Sequence, residues 1–182
     1  MEKLIITVAP TGSIPKKNNN PHVPVTTEEI VEAALACEKA GASILHIHTR
    51  DENENPSDDP ERFAAVVNAL KGKTDLILQL STGGRAGVEL DSRLKRLSVG
   101  GEMASLTTGS VNFPNSAYVN PPDLVEALAA EMRQRDLKPE IDAFIREFRR
   151  NGGFDRLGEK YLGDIQAVFE EEGVSFFFDI EE

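Results

Sequence analysis

Apolar positions along this chain fall into short continuous runs separated by longer stretches with helical spacing. The first run, "KLIITVAP" (3–10), is uninterrupted, the pattern of a strand buried on both faces of a parallel sheet. A loop rich in Lys, Asn and Pro follows. Thr26 and Glu29 then stand in T-x-x-E spacing, a capping box that opens a helix closed by Gly41. The alternation continues. "SILHIHTRD" (43–51) is a second strand, and "PERFAAVVNALKG" is a helix with Pro60 in its first turn and Gly72 at its end. "DLILQLSTGG" is a third strand, "ELDSRLKRLSVGG" a short helix and "EMASLTTGS" a weaker fourth strand. "PPDLVEALAAEMRQRD" reads as a helix and "KPEIDAF" as a fifth strand. Beyond Gly152 and Gly153, "DIQAVFEEEG" reads as a helix and "VSFFFDI" as a last strand.

Strands alternating with helices of this length imply βαβ units and a parallel sheet. Right-handed crossovers put the loops that follow the strands on one rim, where parallel α/β folds carry their chemistry. Polar, Gly-rich ends occur where that rule wants them. Strand one ends in Thr11-Gly12-Ser13, strand two in His46, His48, Arg50 and Asp51, strand three in Ser81-Thr82-Gly83-Gly84-Arg85, and strand four in Thr107-Thr108-Gly109-Ser110.

Side chains alternate along a strand, so His46 and His48 share one face while Leu45 and Ile47 share the other. The imidazoles then stand roughly 6–7 Å apart along the strand. That spacing lets both reach one metal ion, and two histidines with a carboxylate make an open catalytic zinc set. The competing reading is two histidines satisfied by hydrogen bonds near a strand end; metal ligation is the favoured one. "STGGR" supplies hydroxyls, glycines that allow close backbone approach, and a guanidinium, a grouping that suits carboxylate or phosphate oxygens. It also reads as a plain turn into the next helix. Arg50-Asp51 reads first as a strand-end ion pair. His22, in "NNNPHVPV", is a loop residue and a candidate for the mouth of the site.

Composition narrows the partners. The 182 residues suit one domain with a sizeable core, and 40% hydrophobic with 28% charged residues is ordinary for a soluble α/β protein. A formal net charge of −11 disfavours nucleic acid and anionic membrane surfaces as partners. The lone cysteine, Cys37, falls mid-helix, excludes an internal disulfide and fits a reducing cytoplasm. "MEKLIITVAPTG" is too short in apolar residues for a signal peptide, and no run approaches the ~20 needed to span a bilayer. The expectation is a cytoplasmic protein.

Taken together, "TVAPTGSIPKKNNNPHVPVTTEEI", "AGASILHIHTRDENENPSDDPERF", "LILQLSTGGRAG", "EMASLTTGSVNFPNSAYVNPP" and "LKPEIDAF" resemble the β-keto acid cleavage enzymes, the zinc-dependent family that includes 3-keto-5-aminohexanoate cleavage enzymes. The resemblance covers residues 1 to about 144 in the family's order and spacing. It implies an aldolase-like TIM barrel and a retro-Claisen-type exchange in which a β-keto acid and acetyl-CoA give acetoacetate and a new acyl-CoA. It implies that His46 and His48 hold Zn2+, or another divalent metal. Ser81, Thr82, Gly83 and Gly84, with Arg85, match the segment that holds the substrate carboxylate. Ser105 matches a hydroxyl that contacts substrate, with Thr107 beside it, and Glu140 matches a site-facing acid; Ser81, Ser105 and Glu140 are the catalytic candidates. One branch of the family, acting on an amino-substituted keto acid, has a glutamate just after the first-strand "TG". Ile14 stands there, so a substrate bearing an ammonium group is not favoured.

The resemblance ends near residue 144, and 145–182 is a divergent segment of what is expected to be one α/β domain over 1–182. A full (β/α)8 barrel takes about 250 residues, whereas this chain supplies about six strands. The family's late Glu-Asp pair, whose Glu completes the zinc shell, has no counterpart, since no Glu-Asp dipeptide occurs. The chain is then expected to be a split, truncated or fused version that works as a homo-oligomer or with a complementing chain. Alternatively, the terminal Asp179, Glu181 and Glu182 provide a replacement carboxylate. The competing function is a non-catalytic barrel fragment, truncated or engineered, that binds metal or assembles with a partner. A third, a phosphate-binding protein, would use "STGG" without metal.

Overall fold

The computed structural model describes residues 4–83, 89–113 and 116–142. The elements run β1 (Thr7–Val8), α1 (Thr27–Lys39), β2 (Ile44–Ile47), β3 (Thr49–Arg50), β4 (Pro56–Ser57), α2 (Pro60–Leu70) and β5 (Ile77–Leu80). They continue with α3 (Leu90–Arg96), β6 (Met103–Thr107), β7 (Val111–Phe113), β8 (Ser116–Tyr118), α4 (Pro122–Gln134) and β9 (Lys138–Asp142). The sequence-based helix at "DIQAVFEEEG", the strand at "VSFFFDI" and the second part of the 1–182 domain lie outside the described residues.

Helix boundaries follow their local chemistry. Thr26 caps α1 by accepting from the Glu29 amide, while the Glu29 carboxylate accepts from the Thr26 amide. Two donors that no helical carbonyl can reach are thereby satisfied. Gly41 follows the helix at φ +102, where a side chain would be strained. Asp59 caps α2, with Pro60 in the first turn as the sequence indicated.

The strands β1, β2, β5, β6 and β9 form one parallel sheet in that spatial order. Each strand lies beside the next one of the sheet in the chain, so successive βα units are laid down in one direction. Leu45, Ile47, Leu78, Leu80, Ala104 and Leu106 point to one face and join the core. Ile30, Ala34, Phe63, Val66, Leu128 and Met132 meet them from α1, α2 and α4. At ~25 cal/mol per Å² of apolar area, this layer supplies most of the drive to fold. The opposite face of the same strands carries His46, Gln79, Ser105 and Glu140.

Two expectations are corrected. The first strand is not buried on both faces over 3–10: its ladder with β2 is short, and Leu4, Ile5 and Ile6 are exposed by 51%, 70% and 41%. As the described sheet's edge, β1 has a strand on only one side. Two small antiparallel hairpins, β3–β4 and β7–β8, also stand in stretches read as strand end or loop. Both follow a parallel strand, so both rise from the rim.

Candidate active site at the strand ends

β2 places His46 and His48 on the polar face, their ring centroids 4.8 Å apart and tilted 56° to each other. Burial is the main force on His48. It brings the imidazole down from 6.5 to about 3, with the nearby His46, Arg50 and Arg96 acting in the same direction. His48 is therefore neutral at physiological pH, the state in which an imidazole ligates a metal. His46 Nδ1 lies 2.5 Å from Gln79 Oε1 on the neighbouring strand. An amide oxygen only accepts, so Nδ1 carries a proton, and in the neutral ring the lone pair is then on Nε2. Gln79, wholly buried, reaches over β6 and donates from Nε2 to Glu140 Oε2 at 2.6 Å. Sequence reading passed over Gln79, although "LILQLST" holds the signal: it is polar, and it shares the facing of Ser81.

The end of β5 is fastened on two sides. Thr82 N–H donates to Ser105 Oγ at 3.1 Å, and Thr82 Oγ1 donates to Ser105 O at 2.6 Å, so the β5 end is clamped to β6. From α3, Arg96 donates to the carbonyls of Ser81 (2.9 Å), Thr82 (3.3 Å) and Gly83 (2.9 Å). In a trans peptide the N–H lies opposite the C=O. Turning the Thr82 carbonyl toward Arg96 therefore aims the Gly83 N–H the other way. A methyl placed on Gly83 would sit 3.4 Å from Ser81 Oγ and 3.7 Å from Tyr118 Oη, so glycine leaves room beside two hydroxyls. Tyr118 Oη is buried without a hydrogen-bond partner among the described residues.

Two guanidinium groups lie buried behind this loop. Arg93 and Arg96 are each 2% exposed, and neither forms an ion pair among the described residues. Arg93 instead donates to Asn120 Oδ1 at 2.7 Å and lies 5.0 Å over the Tyr118 ring. Burial is the main cause that lowers Arg96 to about 10; Asp58 opposes it and the Arg93 charge adds to it. Buried cations this close favour an anion in front of them.

The structure thus brings His46, His48, Ser81, Thr82, Gly83, Ser105, Thr107 and Glu140 to one sheet face and its rim. Gly84 and Arg85 lie outside the described residues. Among the described residues, no group of three His, Cys, Asp or Glu side chains is placed to hold a metal. His22 is exposed in its loop. Arg50 serves the β1 loop by donating to Thr11, Gly12 and Pro15 carbonyls, while the Asp51 carboxylate accepts from the Asn53 and Asn55 amides. A cavity of about 460 Å³, lined in part by Lys17, Thr27, Glu28, Thr49, Arg50 and Arg62, has none of His46, His48, Ser81 and Ser105 in its wall. Among the described residues no helix is long and apolar enough to cross a membrane.

The chain is similar to several known proteins in sequence and in fold. A 3-oxoadipate:acetyl-CoA acetyltransferase of Cupriavidus necator is 52% identical over 141 residues, covering 77% of this chain and 49% of that protein. A 3-keto-5-aminohexanoate cleavage enzyme of Fusobacterium nucleatum is 41% identical over 146 residues, covering 79% of this chain and 54% of that protein. The chain spans about half the length of the curated relatives it matches. The apo structure of ObcA superposes with a TM-score of 0.64 at 27% identity, covering 72% of this chain and 32% of ObcA. Its ternary complex with a C4-CoA adduct and oxalate gives 0.63 at 26% identity, covering 72% and 33%. The family described as beta-keto acid cleavage enzyme matches residues 3–151, and this chain belongs to that family.

Proposed function

We propose that this chain carries the metal-holding and carboxylate-binding part of a β-keto acid cleavage site. The reaction exchanges a β-keto acid with acetyl-CoA. The bond between the keto carbon and the CH2 carrying the carboxylate breaks, that CH2 joins the acetyl group, and the released acyl group leaves on the CoA sulfur. Acetoacetate and a new acyl-CoA result, with atoms balanced.

One observation carries this reading: His46, His48, Ser81 and Ser105 share one face and rim of adjacent parallel strands, with two buried arginines behind the β5 loop that form no ion pair among the described residues. A divalent ion held by His46 and His48, zinc first, supplies Lewis acidity toward the substrate's keto oxygen when bound. The chain's own groups do the rest. Ser81 Oγ, the Gly83 N–H and the orphaned Tyr118 hydroxyl receive the carboxylate, while Arg96 and Arg93 supply positive potential from behind. Thr107, on the Ser105 face of β6, extends this anion subsite, to which the family resemblance also assigns Gly84 and Arg85. Ser105 and Thr82 hold the β5 end against β6, so the carboxylate is fixed relative to the histidines. Ile14, 72% exposed where an ammonium-binding acid would stand, favours a keto acid without an amino group. The third metal ligand and the strands that close the barrel come from outside the described residues; a homo-oligomer or a complementing chain is one source of them.

The test combines elemental analysis with an exchange assay of acetyl-CoA and short β-keto acids. Near one zinc per chain, lost in His46→Ala, and exchange abolished by Ser81→Ala are expected. No metal in either protein, and no exchange, would overturn the reading. A second reading, a metal-binding assembly domain without turnover, draws on the absence of a third ligand among the described residues. Metal uptake with no exchange, alone or with a complementing chain, would select it.

A further inference from the structure

Gln79 has a task that no strand-filling role accounts for. It is wholly buried on β5, directly opposite His46 in the β2–β5 register, with Leu78 and Leu80 on the other face. A leucine or methionine would fill that volume without a buried amide to satisfy. Instead both ends of the amide are used: Oε1 faces His46 Nδ1 at 2.5 Å and Nε2 donates to Glu140 Oε2 at 2.6 Å. The two contacts are not independent. An amide can turn over and exchange its oxygen and nitrogen, and only Glu140 breaks that symmetry here. A carboxylate accepts and repels a carbonyl oxygen, so Glu140 fixes Nε2 on its own side and Oε1 on the histidine's side. With Oε1 facing it, His46 Nδ1 must carry the proton.

We infer that Gln79 and Glu140 are positioning residues that set the tautomer of His46, leaving Nε2 as its only lone pair. This rests on the metal-site reading above and deepens it. It also moves Glu140 from direct contact with substrate to action through two hydrogen bonds. Hydrogen bonds of this kind behind a metal-binding histidine typically change affinity 10–100-fold.

The experiment reads the tautomer of His46 in metal-free protein by long-range 1H–15N NMR, then titrates cobalt(II) as probe. Wild type should show a proton on Nδ1. Gln79→Leu should give a mixture of tautomers and bind cobalt 10–100-fold more weakly. Glu140→Gln, which lets either amide end face His46, should move both readouts the same way by less. The double variant Gln79→Glu with Glu140→Gln rebuilds the relay with the partners exchanged. It should restore the Nδ1–H tautomer and bring affinity back to within a few-fold of wild type. That rescue separates the assignment from a packing effect, and it stands in should Gln79→Leu fail to fold. A wild-type proton on Nε2, or a Gln79→Leu chain with unchanged tautomer and affinity, would overturn the inference. A wild-type chain with the Nδ1–H tautomer but no cobalt uptake would support the tautomer assignment and overturn the metal reading instead.

Discussion

Arg50 and Arg96 do the same mechanical job in two places. Each is 2% exposed, and each gathers three backbone carbonyls of a loop that follows a parallel strand. Arg50 takes Thr11, Gly12 and Pro15 at 3.0–3.3 Å, and also Glu54 O at 3.0 Å. Arg96 takes Ser81, Thr82 and Gly83. Their surroundings differ. Around Arg50 the charges are mixed: Lys17 pairs with Glu29 and Arg62 with Glu52. Around Arg96 the second buried guanidinium is Arg93, Asp58 is the opposing charge, and neither arginine forms an ion pair among the described residues. A fork of N–H donors can shape a loop anywhere. Whether that loop then attracts an anion depends on the charges around it, and among the described residues the β5 loop is the one backed by two buried arginines.

The sharpest test sets the two arginines against each other. Arg96→Met and Arg50→Met should each leave buried carbonyls unpaired and cost about 3 kcal/mol or more, read from denaturant midpoints. Only Arg96→Met should also weaken keto-acid binding, by at least about tenfold, the equivalent of ~1.4 kcal/mol. Equal loss of binding in Arg50→Met would break the comparison. Next in size, Ser105→Ala leaves the buried Thr82 N–H without its acceptor and should cost about 1–3 kcal/mol. Its effect on KM for the keto acid should exceed that of any change in the β1 loop.

The mixed-charge side offers smaller effects. Thr26→Ala removes the α1 cap and should cost about 1 kcal/mol in thermal or denaturant unfolding. Glu29 gives a pH signature. Lys17 first, then the Val25 and Thr26 amides, hold its carboxyl at about 2, below the 4.5 of the free side chain. Its folded-state pKa is depressed, so its contribution is present above the unfolded pKa and is lost as pH falls from about 4.5 toward 2. Because the side chain is 37% exposed, the slope should be shallow and flatten further in salt. An unfolding midpoint of Glu29→Gln that tracks wild type over that range would remove Glu29 from the account.

What the sequence made legible was local. The T-x-x-E box, Pro60 and Gly41 mark helix ends because a cap needs only its nearest residues. The shared facing of His46 and His48 follows from the two-residue period of a strand and needs no neighbour. Gln79 was half legible: its parity put it on the face of Ser81, but its partners lie 33 and 61 residues away. Arg96 was hidden, since nothing in "LDSRLKRLSV" says which carbonyls the folded α3 will face. β1 was overread because a run of apolar residues does not say how many strands flank it. Neither hairpin was seen, as each strand in them is only two or three residues long.

The row from His46 through Gln79 to Glu140 also bears on how the chain finds its fold. Parallel strands of Ile, Leu and Ala can slide past one another at little cost in apolar contact, and a slip of one residue turns every side chain to the opposite face. Here such a slip would drive the Gln79 amide into the helix-covered core and take it from both its partners, at about 1–3 kcal/mol for the unpaired group alone. The same amide that points a histidine therefore acts as a key cut across three strands, rejecting misaligned sheets before any ligand arrives.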